Sequence, residues 1–96
     1  MINITVKVMG PLIQITGGSS FGIEMPEGSS VYDLLERVFS LYGEEMKQEV
    51  MDRSGKDLAP YYKILVNGRN SKLMSYLDTI LEDGQTVHIM PPVAGG

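Results

Sequence analysis

Four segments of the chain alternate apolar and polar residues with the period of two that is typical of half-buried β-strands. They span residues 2–9, 21–25, 61–66 and 86–90. In the last segment Val87 and Ile89 fall on one face, and Thr86, His88 and Met90 fall on the other. Turn-forming sequences bound these segments: Gly10-Pro11, Pro26-Glu27-Gly28, Asn67-Gly68 and Asp83-Gly84. Residues 70–76 favour a further short edge strand or a helical turn.

One long amphipathic helix is predicted between the second and third strands. Ser30 suits the N-cap, and Asp33 three positions later forms a motif close to a capping box. Apolar residues then recur at helical spacing on one face, which we expect to pack on the sheet: Val31, Leu34, Leu35, Val38 and Leu41. Gly43 is a natural C-terminal cap for this helix.

Two other segments are ambiguous in their pattern. Residues 12–16 are apolar but too few for periodicity to separate a strand from a helical turn. Residues 44–60 give a weak signal, in which Met46, Val50 and Met51 favour a short second helix and residues 53–57 favour a turn.

The order of the elements indicates an α+β fold in which a mixed sheet wraps around one main helix. The first and last strands are strongly apolar on one face, so we expect them to be neighbours at the centre of the sheet. Parallel pairing is allowed because the helix and the later elements provide a long connection.

Composition narrows the class of protein. A chain of 96 residues with 43% hydrophobic and 21% charged residues is typical of one globular domain. No apolar run approaches the roughly 18 residues of a membrane span, and the first residues lack a signal-peptide pattern. We therefore expect a cytoplasmic protein that does not bind membranes. The absence of cysteine excludes disulfides, thiolate nucleophiles and cysteine-based metal sites.

The charge balance bears on the choice of partners. A net charge of −4 argues against nucleic acid, which is bound mainly by neutralising phosphates, and favours partners with basic grooves. A modest acidic cluster in the weakly patterned segment is more typical of a solvated face than of a docking patch. Its members are Glu44, Glu45, Glu49 and Asp52.

The last six residues, which we call the C-terminal tail, are Pro91-Pro92-Val93-Ala94-Gly95-Gly96. Two prolines end the last strand, so residues 1–90 are predicted to form the globular domain and residues 91–96 a flexible, projecting tail. Gly95 and Gly96 carry no Cβ and suit a channel too narrow for side chains. The carboxylate of Gly96 is a poor electrophile until it is activated, which commonly occurs by transfer of AMP from ATP. The alternative is a frayed terminus without a function.

Three segments together resemble a known family. They are residues 25–31 before the helix, residues 64–70 at the third strand, and residues 81–96 at the end, where Asp-Gly, a strand and Pro-Pro-Val-Ala-Gly-Gly follow in order. The chain resembles the ubiquitin-like β-grasp sulfur carriers, most closely the small subunit of molybdopterin synthase. Gln85 departs from the aspartate common in that family, and a turn tolerates either residue. The segments after Gly43 and Asn70 are also longer.

The resemblance implies a function for the tail. Gly96 would be adenylated by a ubiquitin-activating-type enzyme, which uses the ATP, and converted to a thiocarboxylate. Pro92, Val93, Ala94 and Gly95 would thread into the large subunit of molybdopterin synthase, and the sulfur would pass to a pterin precursor of the molybdenum or tungsten cofactor. This chain would bind no metal or cofactor itself and would not be an enzyme, since the catalytic side chains belong to its partners.

Two other functions stay open. Ubiquitin-like small modifiers share the same ending, so Gly96 could be joined to lysines of other proteins, or sulfur could be carried for another pathway. A plain interaction domain is the third hypothesis.

Leu65, His88 and Met90 are the candidate docking residues. Strand parity places His88 and Met90 on the face opposite Val87 and Ile89, and Leu65 can share that face. His88 is the only histidine and lacks a recognisable catalytic motif, which favours a surface or interface role. An apolar patch beside the tail would suit docking, although a loop could equally cover it.

Overall fold

A computed structural model of the protein describes residues 1–92 and shows one five-stranded sheet with helices packed against one face. The strands are β1 (Ile2–Val8), β2 (Ser20–Met25), β3 (Lys63–Val66), β4 (Arg69–Asn70) and β5 (Thr86–Met90). The helices are α1 (Leu12–Thr16), α2 (Val31–Tyr42) and α3 (Glu44–Val50), and two short 3-10 helices span Ser71–Leu73 and Tyr76–Asp78.

The sheet is mixed, with the strand order β2-β1-β5-β3-β4. β1 and β5 pair in parallel, with Val6 opposite Val87 and Val8 opposite Ile89, and the other pairs are antiparallel. The prediction that the first and last strands are parallel neighbours is therefore confirmed. Both strands bury one full row of branched side chains against the helices, which fixes their register because a slip of one residue would expose that row.

Helix α2 begins and ends as the sequence predicts. The Ser30 side chain accepts a hydrogen bond from the Asp33 N–H, and the Asp33 carboxylate accepts one from the Ser30 N–H, which completes a capping box. Gly43 ends the helix with a φ of 97°, a value that favours glycine. Together with β-strands on both sides of α2 in the chain, this gives the α+β arrangement expected of a β-grasp domain.

The predicted buried stripe of α2 is wrong at one position. Leu41 is 58% exposed, whereas Phe39, which was not assigned to the stripe, is buried. Helix α3 adds its buried Met46 and Val50 to the same core cluster as Phe39, so the apolar face of α2 extends toward α3. The predicted stripe residues Val31, Leu34, Leu35 and Val38 are all buried.

The ambiguous segments form helices. Residues 12–16 are the helix α1, which ends at Gly17 with a φ of 80°. Met46 and Val50 lie in α3 as expected, whereas Met51 follows that helix and forms an isolated bridge with Leu58. After α3, residues 53–57 form the predicted turn.

The Asp52 carboxylate holds that turn. It accepts hydrogen bonds from the Ser54 hydroxyl at 2.5 Å and from the Ser54 N–H at 2.9 Å. The hydrogen bond from the Ser54 hydroxyl is the largest contribution that lowers the pKa of Asp52 below its ordinary value, because it stabilises the charged form.

One tight turn joins β3 to β4, and another leads into β5. Asn67 and Gly68, with φ values of 49° and 81°, link β3 to β4 through the left-handed conformation that tight hairpins require. Gly84 follows with a φ of 83°, and its N–H donates to the Asn3 carbonyl at 2.8 Å. Asp83 Oδ1 accepts from the Asn3 N–H at 2.7 Å, so this turn is fastened to the start of β1.

In the part of the chain that the structure describes, no helix is long and apolar enough to cross a membrane.

Candidate functional site

The C-terminal tail begins at the end of β5, which is the central strand of the sheet. Met90, the last residue of β5, is opposite Lys63 on β3. On the other side, the ring of Pro91 lies over Gly10, which follows β1. The next residue, Pro92, is exposed. The strand thus ends at the predicted residue. The chain leaves it between Lys63 on one side and Gly10 on the other.

The predicted tail residues Val93, Ala94, Gly95 and Gly96 lie outside the described residues. Their roles in threading and activation therefore stay predictions, as does the projection of the tail.

The candidate docking residues lie together on the outer face of the sheet, the face turned away from the helices. Leu65 on β3 is directly opposite His88 on β5, and Met90 follows His88 by one alternation on the same face. All three side chains are half-buried. An apolar patch of this kind, next to the root of the tail, has the position that a docking surface requires.

His88 lies between two strands rather than beside a catalytic group. Its neighbours across the sheet are Lys7 on β1 and Leu65 on β3, and neither is a carboxylate that could orient an imidazole for catalysis. Its buried Nδ1 has no hydrogen-bond partner. These neighbours favour a contact role for the imidazole over a catalytic one.

Among residues 1–92, no group of histidine and acidic side chains is arranged to hold a metal ion.

Sequence reasoning missed Tyr61, an exposed aromatic residue two positions before Lys63. Tyr61 is 83% exposed and has a φ of 67°, which is uncommon for a residue with a side chain. It lines a surface groove of about 540 Å³ together with Tyr62, Lys63 and Lys72. Alternation over residues 61–66 places Tyr61 on the face opposite Tyr62, but no pattern shows that Tyr61 lies before β3, which begins at Lys63, in a left-handed conformation.

The neighbouring tyrosines brace the long connection between α3 and β3. Tyr62 Oη donates to Glu49 Oε1 at 3.0 Å, and Tyr76 Oη donates to Asp57 Oδ1 at 2.5 Å. Burial raises the pKa of both phenols, and the carboxylate partner raises each further; the pKa of Tyr76 reaches about 12. Both hydroxyls therefore stay protonated at neutral pH and act as hydrogen-bond donors.

Comparison with known proteins gives a family and two curated relatives. The model of the ThiS family matches residues 6–96. A protein of Archaeoglobus fulgidus named as a candidate sulfur carrier is 34% identical over 70 residues, which cover 73% of this chain and 77% of that protein. Small archaeal modifier protein 3 of Haloferax volcanii is 29% identical over 83 residues, covering 86% of this chain and 87% of the relative.

A solved structure supports the same assignment. The Pyrococcus furiosus protein described as a candidate molybdopterin converting factor, subunit 1, superposes with a TM-score of 0.75 at 31% identity. The match covers 97% of this chain and 100% of that one, and the name makes that protein one subunit of a larger factor. The match to the family model extends over nearly the whole sheet and through the Gly-Gly ending. The chain therefore belongs to the ThiS family of ubiquitin-like sulfur carrier proteins.

Proposed function

We propose that this protein carries sulfur for synthesis of the pterin dithiolene of the molybdenum or tungsten cofactor, as the small subunit of a molybdopterin synthase. The observation that carries the proposal is the place of the tail. β5 is held between β1 and β3, and the Pro-Pro-Val-Ala-Gly-Gly sequence begins immediately after its last residue. A rigid sheet thus sets the starting point of an arm whose tip has no side chains.

The chemistry proposed for Gly96 takes it as the C-terminal residue of the mature chain. Its carboxylate oxygen attacks the α-phosphorus of ATP in the activating enzyme, and pyrophosphate leaves. A hydrosulfide-equivalent sulfur nucleophile then attacks the acyl carbon, AMP leaves, and a thiocarboxylate remains. After sulfur passes to the pterin precursor, water supplies the oxygen that restores the carboxylate.

The roles of the side chains follow from this scheme. Gly95 and Gly96 let the tip enter a narrow channel, and Pro92, Val93 and Ala94 fill the wider part of that channel. Leu65, His88 and Met90 form the surface beside the root of the tail that contacts a partner protein. ATP is bound by the activating enzyme, and the catalytic side chains belong to that enzyme and to the large synthase subunit, because this family consists of small carrier proteins.

The 31% identity to the Pyrococcus furiosus converting-factor protein favours the pterin pathway. The similarity to small archaeal modifier protein 3 favours a second function, in which Gly96 is joined to lysines of other proteins. Both functions begin with the same activated Gly96, so they differ in the acceptor and not in the first step.

Reconstitution with a purified large synthase subunit tests the proposal. We expect the chain carrying a chemically prepared thiocarboxylate at Gly96 to form a stable complex and to convert the pterin precursor to the dithiolene. The same chain with an ordinary carboxylate should form the complex without conversion. Failure to form a complex, combined with conjugates to lysines in cells, would replace the pterin function with the modifier function.

A further inference from the structure

The strands and the rest of the chain differ in the sign of their charge. The chain has 12 acidic and 8 basic residues, which gives a net charge of −4. The basic residues of the strands are Lys7, Lys63 and Arg69, whereas their only acidic residue is Glu24. The remaining acidic residues lie in helices, turns and loops. The strands therefore carry more positive than negative charge, although the chain as a whole is acidic.

Two lysines flank the strand that leads into the tail. Lys7 on β1 is opposite His88, and Lys63 on β3 is opposite Met90, so the lysines stand on either side of β5. Both are exposed, and strand parity places both on the outer face with Leu65. The patch of Leu65, His88 and Met90 consequently has positive charge at two of its borders.

The acidic residue of the sheet lies at the far end of the outer face. Glu24 is opposite Asn3, five residues before Val8, which is roughly 17 Å along the strand from the end at which the tail begins. The Asp83 carboxylate is at that far end too, where it is hydrogen-bonded to the Asn3 N–H. Neither of these two carboxylates can offset Lys7 and Lys63 at short range, because exposed charges are screened over about 10 Å at ordinary salt. Asp52 and Asp57 line one groove with Lys63 and Lys72, and each carboxylate already accepts a side-chain hydrogen bond, Asp52 from Ser54 and Asp57 from Tyr76.

We propose that the activating enzyme presents an acidic surface with an apolar centre to this outer face, and that Lys7 and Lys63 steer its encounter with the tail. This inference rests on the proposed activation of Gly96. It reverses the expectation from net charge, which favours basic partners. The occupant is a protein surface, because the centre of the patch is apolar and half-buried, and a phosphate backbone has no apolar group to place there.

The positions of the lysines decide what they contribute. Charges at the border of a docking patch act mainly on the rate of association and on specificity, and their effect falls with ionic strength. Lys7 and Lys63 should therefore change how readily the enzyme captures the carrier. The rate of adenylation at saturating carrier should stay the same, since neither lysine belongs to the tail.

The test measures two quantities with the purified activating enzyme of the source organism: ATP–pyrophosphate exchange against carrier concentration, and direct binding by titration calorimetry. For Lys7→Glu with Lys63→Glu, we expect the half-saturating concentration and Kd to rise by roughly tenfold to a hundredfold, with maximal exchange unchanged. The loss should shrink between about 0.05 M and about 0.5 M salt. The double variant Lys7→Arg with Lys63→Arg keeps both positive charges, so it should capture the enzyme as well as the wild type does.

Matched charge reversals on the helical side are the control. Arg37→Glu on α2 and Lys56→Glu in the loop after α3 change the net charge of the chain by the same amount at exposed positions. We expect both parameters to stay within about twofold of the wild-type values. Equal losses in the two double variants would overturn the proposal, because net charge rather than the outer face would then govern capture.

The two readouts separate this inference from the proposed function. Binding without exchange would contradict activation of Gly96 and would still test the lysines through Kd. Absence of both binding and exchange would contradict both proposals. If the outer face instead binds a DNA duplex more tightly than the enzyme, and loses that binding on charge reversal, the assignment of a protein partner is wrong.

Discussion

The ring of Pro91 packs over the backbone of Gly10, so that a Cβ added at Gly10 would lie 3.4 Å from Pro91 Cγ. Gly10 also has a φ of 61°, in the left-handed region that residues with side chains rarely occupy. The residue after β1 thus supports the first residue of the tail. This contact fixes where the tail leaves the sheet.

Substitution of Gly10 by valine should impair capture of the tail. We expect the positive φ to cost about 1–2 kcal/mol of unfolding free energy, and the added methyl groups to displace the Pro91 ring. The half-saturating concentration for ATP–pyrophosphate exchange should then rise. The measurement combines urea denaturation with the exchange assay.

Gly28→Val is the matched control, because Gly28 has a φ of 85° and no atom within 4 Å of its added Cβ. It should lower stability by a similar amount and leave exchange unchanged. If the two variants have the same effect on exchange, the contact with Pro91 does not position the tail.

Substitution of Gly96 by leucine should abolish activation without changing stability. The added side chain obstructs attack at the carboxylate, whereas the buried core of the described residues ends at Ile89. Thermal unfolding should therefore keep its midpoint, since changes away from the core are usually within about 0.5 kcal/mol. A large fall in the midpoint would contradict the separation of the tail from the folded domain.

Truncation of Ile4 should have the opposite pattern. Ile4 is 1% exposed at the centre of β1, so Ile4→Ala should lower the unfolding free energy by about 2–5 kcal/mol. Leu41→Ala on α2, where the side chain is 58% exposed, should change it by less than about 0.5 kcal/mol. Urea denaturation measures both, and a large loss for Leu41→Ala would mean that the residue is covered in solution.

The tyrosine–carboxylate pairs predict a loss of stability at high pH. The pKa of Tyr76 is about 12 in the folded protein, above its ordinary value of 10.0. Between these values the unfolded chain has released a proton that the folded chain retains, so the free energy of unfolding falls as pH rises. The pKa of Tyr62 is also raised, mainly by burial and further by Glu49, so Tyr62 adds to the same loss of stability at high pH. Below the unfolded value the contribution is complete.

Denaturation of Tyr76→Phe checks this assignment. The variant lacks the phenol, so its stability should decline less than that of the wild type between about pH 9.5 and about pH 11.5. An identical decline in the two proteins would show that other groups cause the loss.

The central part of the fold could be predicted from sequence because each signal was local or repeated. Alternation fixed the buried rows of β1 and β5, and the Ser30–Asp33 motif fixed the start of α2. The errors and ambiguities arose where burial depends on how another element packs. Phe39 is buried and Leu41 exposed because of where α3 packs, and that position is not encoded in the period of α2.

The candidate site was predictable to the same extent. Strand parity was sufficient to place His88 and Met90 on one face, and the register then brought Leu65 opposite His88. Gly10 and Lys7 were missed because their relation to the tail depends on the register between β1 and β5, which the predicted parallel pairing leaves open. Such a contact joins residues more than eighty positions apart, and no local pattern marks it.

The most direct test of the proposed sulfur-carrier function is the intact mass of the native protein isolated from cells grown with an adequate sulfur supply. For a sulfur carrier we expect a species that ends at Gly96 and is heavier than the unmodified chain by the difference between one sulfur and one oxygen atom. Iodoacetamide should alkylate the thiocarboxylate of that species. The chain has no cysteine, so no side-chain thiol would take up the same label. A chain that extends beyond Gly96 in its working form, or one found solely with an ordinary carboxylate, would contradict the carrier function.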